Sequence, residues 1–122
     1  MNRVTQIAIQ GTLARVAPHE VEARRDRSSA LFNNRYFGDV ARTILDITDD
    51  GADMVTARKI ASTTGLSDSL VRPVLQRLVT AEALAKLDRT GSNRGAQYYL
   101  VRDPDTLRSI VALHDIPAPA QQ

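Results

Sequence analysis

The chain has 122 residues, the size of one ordinary domain. Hydrophobic residues make up 43% of the sequence and aromatic residues only 4%, so the chain can bury a core that must be aliphatic. Cysteine is absent, which excludes disulfides, thiolate metal sites and a cysteine nucleophile. No apolar run approaches the ~20 residues of a membrane span, and no signal peptide is evident. We therefore expect a soluble cytoplasmic protein with no membrane partner.

The formal net charge of +2 hides an uneven distribution of charge along the chain. Residues 54–101 contain seven cations and three anions, whereas residues 35–53 contain two arginines and five aspartates. Of the 16 cations, 14 are arginine, which suits phosphates and guanine edges but is also enriched by a GC-rich genome. The pattern indicates a basic middle segment beside an acidic one.

Residues 1–30 are interpreted as an N-terminal arm that contributes to a dimer. Proline suits the first turn of a helix, so Ala17-Pro18 predicts a turn into a new helix. The charged stretch Glu20–Arg27 has little to bury. We expect this arm either to fray or to pack against a second subunit.

The next three predicted helices follow from apolar spacing and capping residues. A broad apolar stripe predicts a helix over Leu31–Ile47. Thr56 is a predicted N-cap of a short helix that stops at Gly65. Ser67 is a second predicted N-cap, and the helix after it is expected to run to about Ala83 with an apolar stripe facing inward.

The pattern changes after this third helix. Alternation over Ala85–Arg89 predicts a short strand, and the glycine-containing cluster Thr90–Ala96 predicts a turn. The residues Gln97–Val101 have the content of a returning strand. Because side chains alternate across a strand, one of Tyr98 and Tyr99 should pack on the core and the other should face outward.

Residues 102–122 are predicted to form a C-terminal helix and a tail. Asp103-Pro104-Asp105 is typical of a helix start, and Leu107, Ile110 and Val111 then form an apolar stripe. This stripe suits either a symmetry-related copy or the chain's own core, and both alternatives stay open.

Four strings in the middle of the chain carry a family resemblance: Thr56–Ser67, Leu70–Leu78, Ala81–Leu84 and Gly95–Leu100. They resemble the winged helix-turn-helix transcriptional regulators, the broad group that includes MarR-like and ArsR-like repressors. The resemblance covers Phe37 to Val101, roughly half the chain. It implies a fold that is mainly α with a small β-hairpin, extended by the N-terminal arm and the C-terminal helix.

The DNA-binding domain is therefore placed at residues 31–101, and its third helix has a polar face opposite the apolar stripe. On that face Arg72 suits guanine O6 and N7, and Gln76 suits adenine N6 and N7. At Pro73 either the helix bends, or the helix begins nearer Ser69 so that the proline falls in its first turn. The wing turn after it resembles those that place an arginine in the minor groove. The predicted DNA-binding residues are Thr56, Ser67, Ser69, Arg72, Gln76, Arg77, Arg89, Asn93 and Arg94.

Enzyme and metal interpretations have little support in the sequence. His19 and His114 are the only histidines and lie at opposite ends of the chain without a recognisable acid partner. The acidic cluster over Asp46–Asp53 does not match an EF-hand loop. We expect no enzymatic activity and no cofactor or metal, and no motif marks a pocket for a small-molecule effector.

The resemblance implies a sequence-specific double-stranded DNA-binding regulator. Because one recognition helix buries little surface, we expect a homodimer on a pseudo-palindromic operator, acting as a repressor and associated with the nucleoid in the cytoplasm. Two alternatives stay open. One is an architectural or replication DNA-binding protein with little sequence preference, and the other is a winged-helix module for protein contacts.

Overall fold

The computed structural model describes residues 18–87 and 96–115 of the chain. Over these residues three strands form one antiparallel sheet in the order β1-β3-β2. The fold is mainly α with a small sheet, as the sequence predicts. In chain order the elements are α1 (Pro18–Phe32), α2 (Phe37–Asp49), β1 (Met54–Thr56), α3 (Ala57–Thr64), α4 (Asp68–Thr80), β2 (Leu84–Lys86), β3 (Tyr98–Val101) and α5 (Pro104–His114).

The core is aliphatic, as the composition requires. It lies where α2, α3 and α4 meet, and α5 closes it on the α2 side. Phe37 and Tyr99 are its buried aromatic side chains among the described residues. Nine of its residues have no exposed surface: Val40, Ala41, Ile44, Ile60, Val71, Val74, Leu75, Ala83 and Leu107.

The single helix predicted over Leu31–Ile47 is wrong, because the chain breaks between α1 and α2. Asn33 adopts the left-handed conformation with φ of 58°, which ends α1. Ser28 Oγ donates to the Asn34 carbonyl oxygen at 2.6 Å, and Asn34 Oδ1 accepts from the Tyr36 backbone N–H at 2.9 Å. These polar side chains compete with the helical backbone hydrogen bonds, so the apolar spacing alone was misleading.

Helix α1 packs within its own chain, against α2 and α5. The contact is mostly polar: Arg25 Nε donates to Asp39 Oδ2 at 2.8 Å, and Arg27 Nε donates to the Leu113 carbonyl oxygen at 2.8 Å. At the end of α1 the Phe32 ring also packs on the Phe37 ring, with centroids 4.8 Å apart. Residues 18–32 are therefore not a frayed tail, and the predicted boundary between residues 30 and 31 falls inside this helix. The rest of the predicted arm, residues 1–17, lies outside the described residues.

The sheet has one strand more than the predicted hairpin. Strand β1 pairs with β3 through Val55 and Tyr99, and β2 pairs with the other edge of β3 through Lys86 and Tyr99. A strand of three residues that ends on the N-cap Thr56 is too short for an alternating pattern, so the sequence did not indicate β1. The expected alternation on β3 is confirmed: Tyr99 is buried and Tyr98 is 46% exposed.

Helix α5 closes the chain's own core, which decides between the two alternatives for its stripe. Leu107 and Ile110 are buried, and α5 packs chiefly on α2. Asp103 caps the helix by accepting from the Thr106 backbone N–H at 3.2 Å. Leu113, at the edge of the stripe, stays 44% exposed.

Polar side chains around the buried His114 and Asp39 join α1, α2 and α5; we name them the His114 cluster, which consists of His114, Asp39, Asp115, Arg25 and Arg42. His114 is 2% exposed, with Nδ1 3.2 Å from Asp115 Oδ1 and Nε2 3.6 Å from Asp39 Oδ1. Arg25 on α1 binds Asp39, and Arg42 on α2 binds Asp115. The cluster therefore connects three helices through charged groups rather than apolar contacts.

Replacing Gly38 with alanine should destabilise the protein. A methyl group built on Gly38 would overlap the His114 ring, and such overpacking costs about 1–3 kcal/mol. Glycine to alanine inside a helix otherwise stabilises by about 1 kcal/mol, so the sign of the effect is diagnostic. Denaturant unfolding of Gly38→Ala measures it, with the exposed Ser109→Ala on α5 as a control that should be close to neutral.

The same clash predicts that the effects of Gly38→Ala and His114→Ala on the free energy of unfolding do not add. When His114→Ala removes the ring, adding Gly38→Ala should cost little or stabilise the chain. Equal effects of Gly38→Ala in the two backgrounds would show that the ring is not what the methyl group meets.

Acidification should destabilise the protein through His114. Burial lowers the pKa of His114; Arg24, Arg42 and Arg27 act in the same direction and Asp39 opposes them. As the pH falls through about 6.5, the unfolded chain binds a proton that the folded chain does not, so the free energy of unfolding decreases until the folded-state pKa is reached. Unfolding midpoints at about pH 7.5 and 5.5 should fall more steeply for wild type than for His114→Gln. Parallel changes in the two chains would contradict a lowered pKa.

Candidate nucleic-acid interface

Helices α3 and α4 form a helix-turn-helix. Gly65 has φ of 80° and ends α3 in a left-handed cap, with its N–H donating to the Ala61 carbonyl oxygen at 2.8 Å. Thr64 Oγ1 accepts from the Leu66 N–H at 3.1 Å and closes the turn. The turn predicted at Gly65 is thus confirmed, and it brings the two helices into contact through buried apolar side chains.

The two predicted N-caps have different outcomes. Thr56 Oγ1 accepts from the Lys59 N–H at 3.1 Å, so Thr56 is the side-chain cap of α3. Ser67 occupies the N-cap position of α4, but its side chain makes no capping hydrogen bond. Its Oγ lies 3.0 Å from Ser69 Oγ instead, so the predicted N-cap position is confirmed but the side chain does not cap the helix.

Helix α4 has two opposite faces. Val71, Val74 and Leu75 are fully buried, whereas Ser69, Arg72 and Gln76 are exposed. Residues three and four positions apart lie side by side on a helix, so the exposed residues share one surface. We call this surface the α4 polar face, defined by Ser69, Arg72, Pro73 and Gln76.

Pro73 lies inside α4. The helix begins at Asp68, so the alternative in which it begins nearer Ser69 and places Pro73 in its first turn is wrong. Proline has no N–H, so the Ser69 carbonyl loses its helical partner on the exposed side. The helix ends at Thr80, three residues before the predicted end near Ala83.

Two polar pairs lie along the α4 polar face. Arg72 Nη2 donates to Asp68 Oδ2 at 3.4 Å, one turn toward the N-terminus. Gln76 Nε2 lies 3.5 Å from Thr80 Oγ1, one turn toward the C-terminus, and that hydroxyl donates to the Gln76 carbonyl oxygen at 3.0 Å. Sequence reasoning did not single out Asp68, although its spacing of four from Arg72 was the available signal.

Other cations of the middle segment point in different directions. The Arg77 guanidinium lies 4.8 Å from the centre of the Phe37 ring, toward α2 and away from the α4 polar face. Arg58 and Lys59 are exposed in the first turn of α3. The site prediction left these two out, although their position directly after the Thr56 cap was a usable signal.

The wing is described only at its base. Strands β2 and β3 pair antiparallel, and Lys86 on β2 is exposed. Residues 88–95 lie outside the described part, and with them the predicted contacts Arg89, Asn93 and Arg94.

Within 18–87 and 96–115, no three acidic or histidine side chains come together in a way that would hold a metal ion. None of the helices described here is long and apolar enough to cross a membrane.

A helix-turn-helix followed by an antiparallel strand pair defines the winged helix-turn-helix fold, and the fold implied by the sequence resemblance is therefore confirmed. The chain is similar to the crystal structure of the transcriptional regulator BldR from Sulfolobus solfataricus, with a TM-score of 0.54 and 14% identity. The match covers 99% of this chain and 91% of BldR. At this identity the likeness concerns the fold alone.

Two other solved structures match with lower TM-scores. RV1404 from Mycobacterium tuberculosis has a TM-score of 0.47 and 18% identity, over 99% of this chain and 83% of that one. The MarR family transcription regulator SP03579 has a TM-score of 0.46 and 19% identity, over 90% of this chain and 68% of that one. TM-scores below 0.5 do not support a structural inference. No protein-family model matches the sequence, and no curated protein matches it either.

Proposed function

We propose that the chain is a sequence-specific double-stranded DNA-binding transcriptional regulator, a repressor that acts as a homodimer on a pseudo-palindromic operator. The main support for this proposal is helix α4, which exposes Ser69, Arg72 and Gln76 on one face and is buried in the core on the opposite face. BldR, a transcriptional regulator, shares the fold, and this favours a regulator over an enzyme.

The α4 polar face has the chemistry of base recognition. A helix of this kind fits the major groove, where arginine recognises guanine and glutamine recognises adenine. Arg58 and Lys59, with Lys86 at the base of the wing, supply positive charge for backbone phosphates, which provide most of the affinity but no sequence information. The remaining predicted contacts, among them Arg89 and Arg94, belong to this proposal through the family resemblance.

Two observations support the homodimer: the small size of the α4 polar face and the presence of two exposed apolar side chains. Dimers place two recognition helices one DNA turn apart, which doubles the contacted sequence. Leu31 near the end of α1 is 50% exposed and Leu113 on α5 is 44% exposed. Because Arg27 joins α1 to Leu113 of α5, both leucines belong to neighbouring helices that a second copy can cover. A dimer bound at its operator on the nucleoid blocks polymerase.

Arg72→Ala should lose sequence discrimination, with Arg108→Ala as its matched control. Both arginines are slightly over half exposed, and each pairs with an aspartate of its own helix. Arg72→Ala should weaken binding to a preferred duplex by ~1–3 kcal/mol relative to random duplex, whereas Arg108→Ala should not. Competition titrations of genomic fragments selected by the wild-type chain, at several salt concentrations, measure both values.

The alternatives predict other outcomes in the same titrations. An architectural protein would bind all duplexes alike, and Arg72→Ala would lower affinity uniformly and reduce the salt slope. A module for protein contacts would show no salt-dependent DNA binding. Either result contradicts the proposed regulator.

The homodimer should depend on Leu31 and Leu113. Wild type should sediment at twice the chain mass of 13.4 kDa, and the double substitution Leu31→Lys, Leu113→Lys at the single mass with unchanged circular dichroism. Met54→Lys alters an equally exposed apolar residue on the sheet and should stay dimeric. A wild-type chain that sediments as a monomer contradicts the proposal.

A further inference from the structure

We propose that Asp68 is a positioning residue for specificity, which holds Arg72 for guanine, and that the operator half-site carries guanine and adenine about two base-pair steps apart. The inference rests on the proposed function and deepens it by assigning the bases that the α4 polar face recognises.

The geometry of the Asp68–Arg72 pair leaves Arg72 free to read a base. One N–H of Arg72 Nη2 points to Asp68 Oδ2 at 3.4 Å. A guanidinium has five N–H donors in a planar fork, so donors remain for guanine O6 and N7, which together take two. The Arg72 and Asp68 side chains are 56% and 50% exposed, so both reach the outer surface of α4.

The charge of the pair favours a base over a phosphate. With Asp68 beside it, Arg72 belongs to a pair without net charge, and the carboxylate repels the phosphate backbone. Arg58 and Lys59 differ, because no ion pair joins them to another residue in the described ranges. A division of roles follows, in which the α3 cations contact phosphates and Arg72 contacts a base edge.

Gln76 is held in a similar way by Thr80. Gln76 Nε2 is 3.5 Å from Thr80 Oγ1, and the Thr80 hydroxyl donates to the Gln76 backbone carbonyl at 3.0 Å. The amide keeps a second N–H and its carbonyl oxygen, which are the groups that adenine N7 and N6 require.

The spacing along α4 sets the spacing of the bases. Arg72 and Gln76 are four residues apart, about 6 Å along a helix axis, which corresponds to about two base-pair steps of ~3.4 Å. Pro73 lies between them on the α4 polar face and presents an apolar ring with no backbone donor. Such a ring suits the methyl group of a thymine between the two recognised bases.

Selection from a random-sequence duplex library at fixed salt tests the inference. Wild type should enrich guanine and adenine at the stated spacing. Asp68→Asn should bind random duplex at least as tightly as wild type, because a carboxylate that repels phosphates is removed, while discrimination at the guanine falls about tenfold, within the range that one bidentate contact supplies. Gln76→Ala should lose the adenine and keep the guanine.

Two further variants test the inference even if Asp68→Asn does not fold. Arg72→Lys keeps the charge but not the fork, so it should lose guanine discrimination while the salt slope stays unchanged. Asp105→Asn is the matched control, because Asp105 binds Arg108 at 3.0 Å in the equivalent surface pair on α5. It should leave the enriched sequence unaltered.

The failures of the inference and of the proposed function are distinguishable. If wild type retains no duplex, the proposed function itself fails. If wild type enriches a defined sequence without the guanine, or if either Asp68→Asn or Arg72→Lys discriminates guanine as well as wild type does, the inference is overturned and the regulator stands.

Discussion

The burial of one face of α4 is the constraint on which the candidate interface depends. Val71, Val74 and Leu75 are fully buried, and burying each such side chain contributes about 1.5–3 kcal/mol. Surface pairs such as Asp68–Arg72 contribute about 0–1 kcal/mol. The core therefore sets the rotation of α4, and the surface pairs only orient side chains that the core has already turned outward.

The attachment of α1 follows a different principle. This helix has little apolar surface, and Ser28 is its one buried residue within the described part of the chain. Apart from the contact of Phe32 with the Phe37 ring at its end, it is held by Arg25 on Asp39 and by Arg27 on the α5 backbone. Because charged contacts depend on protonation and salt, the junction of α1, α2 and α5 responds to pH in a way that the aliphatic core does not.

Much of the candidate site was predictable because its determinants are local. The Thr56 cap and the left-handed Gly65 each depend on residues within about one helical turn, and the α4 polar face depends on residues within about two turns. The partner of the Ser67 hydroxyl was not predicted in this way, because the hydroxyl pairs with the Ser69 side chain and not with the helix backbone.

The sequence by itself determined which faces of α3 and α4 are apolar, where those helices begin, and that the core is aliphatic, because helical periodicity and capping are short-range properties. Only the tertiary structure decided that β1 joins the sheet and that the stripe on α5 covers α2. Those outcomes depend on partners distant in the chain: a three-residue strand is formed by its pairing with β3, and an apolar stripe does not specify which surface covers it.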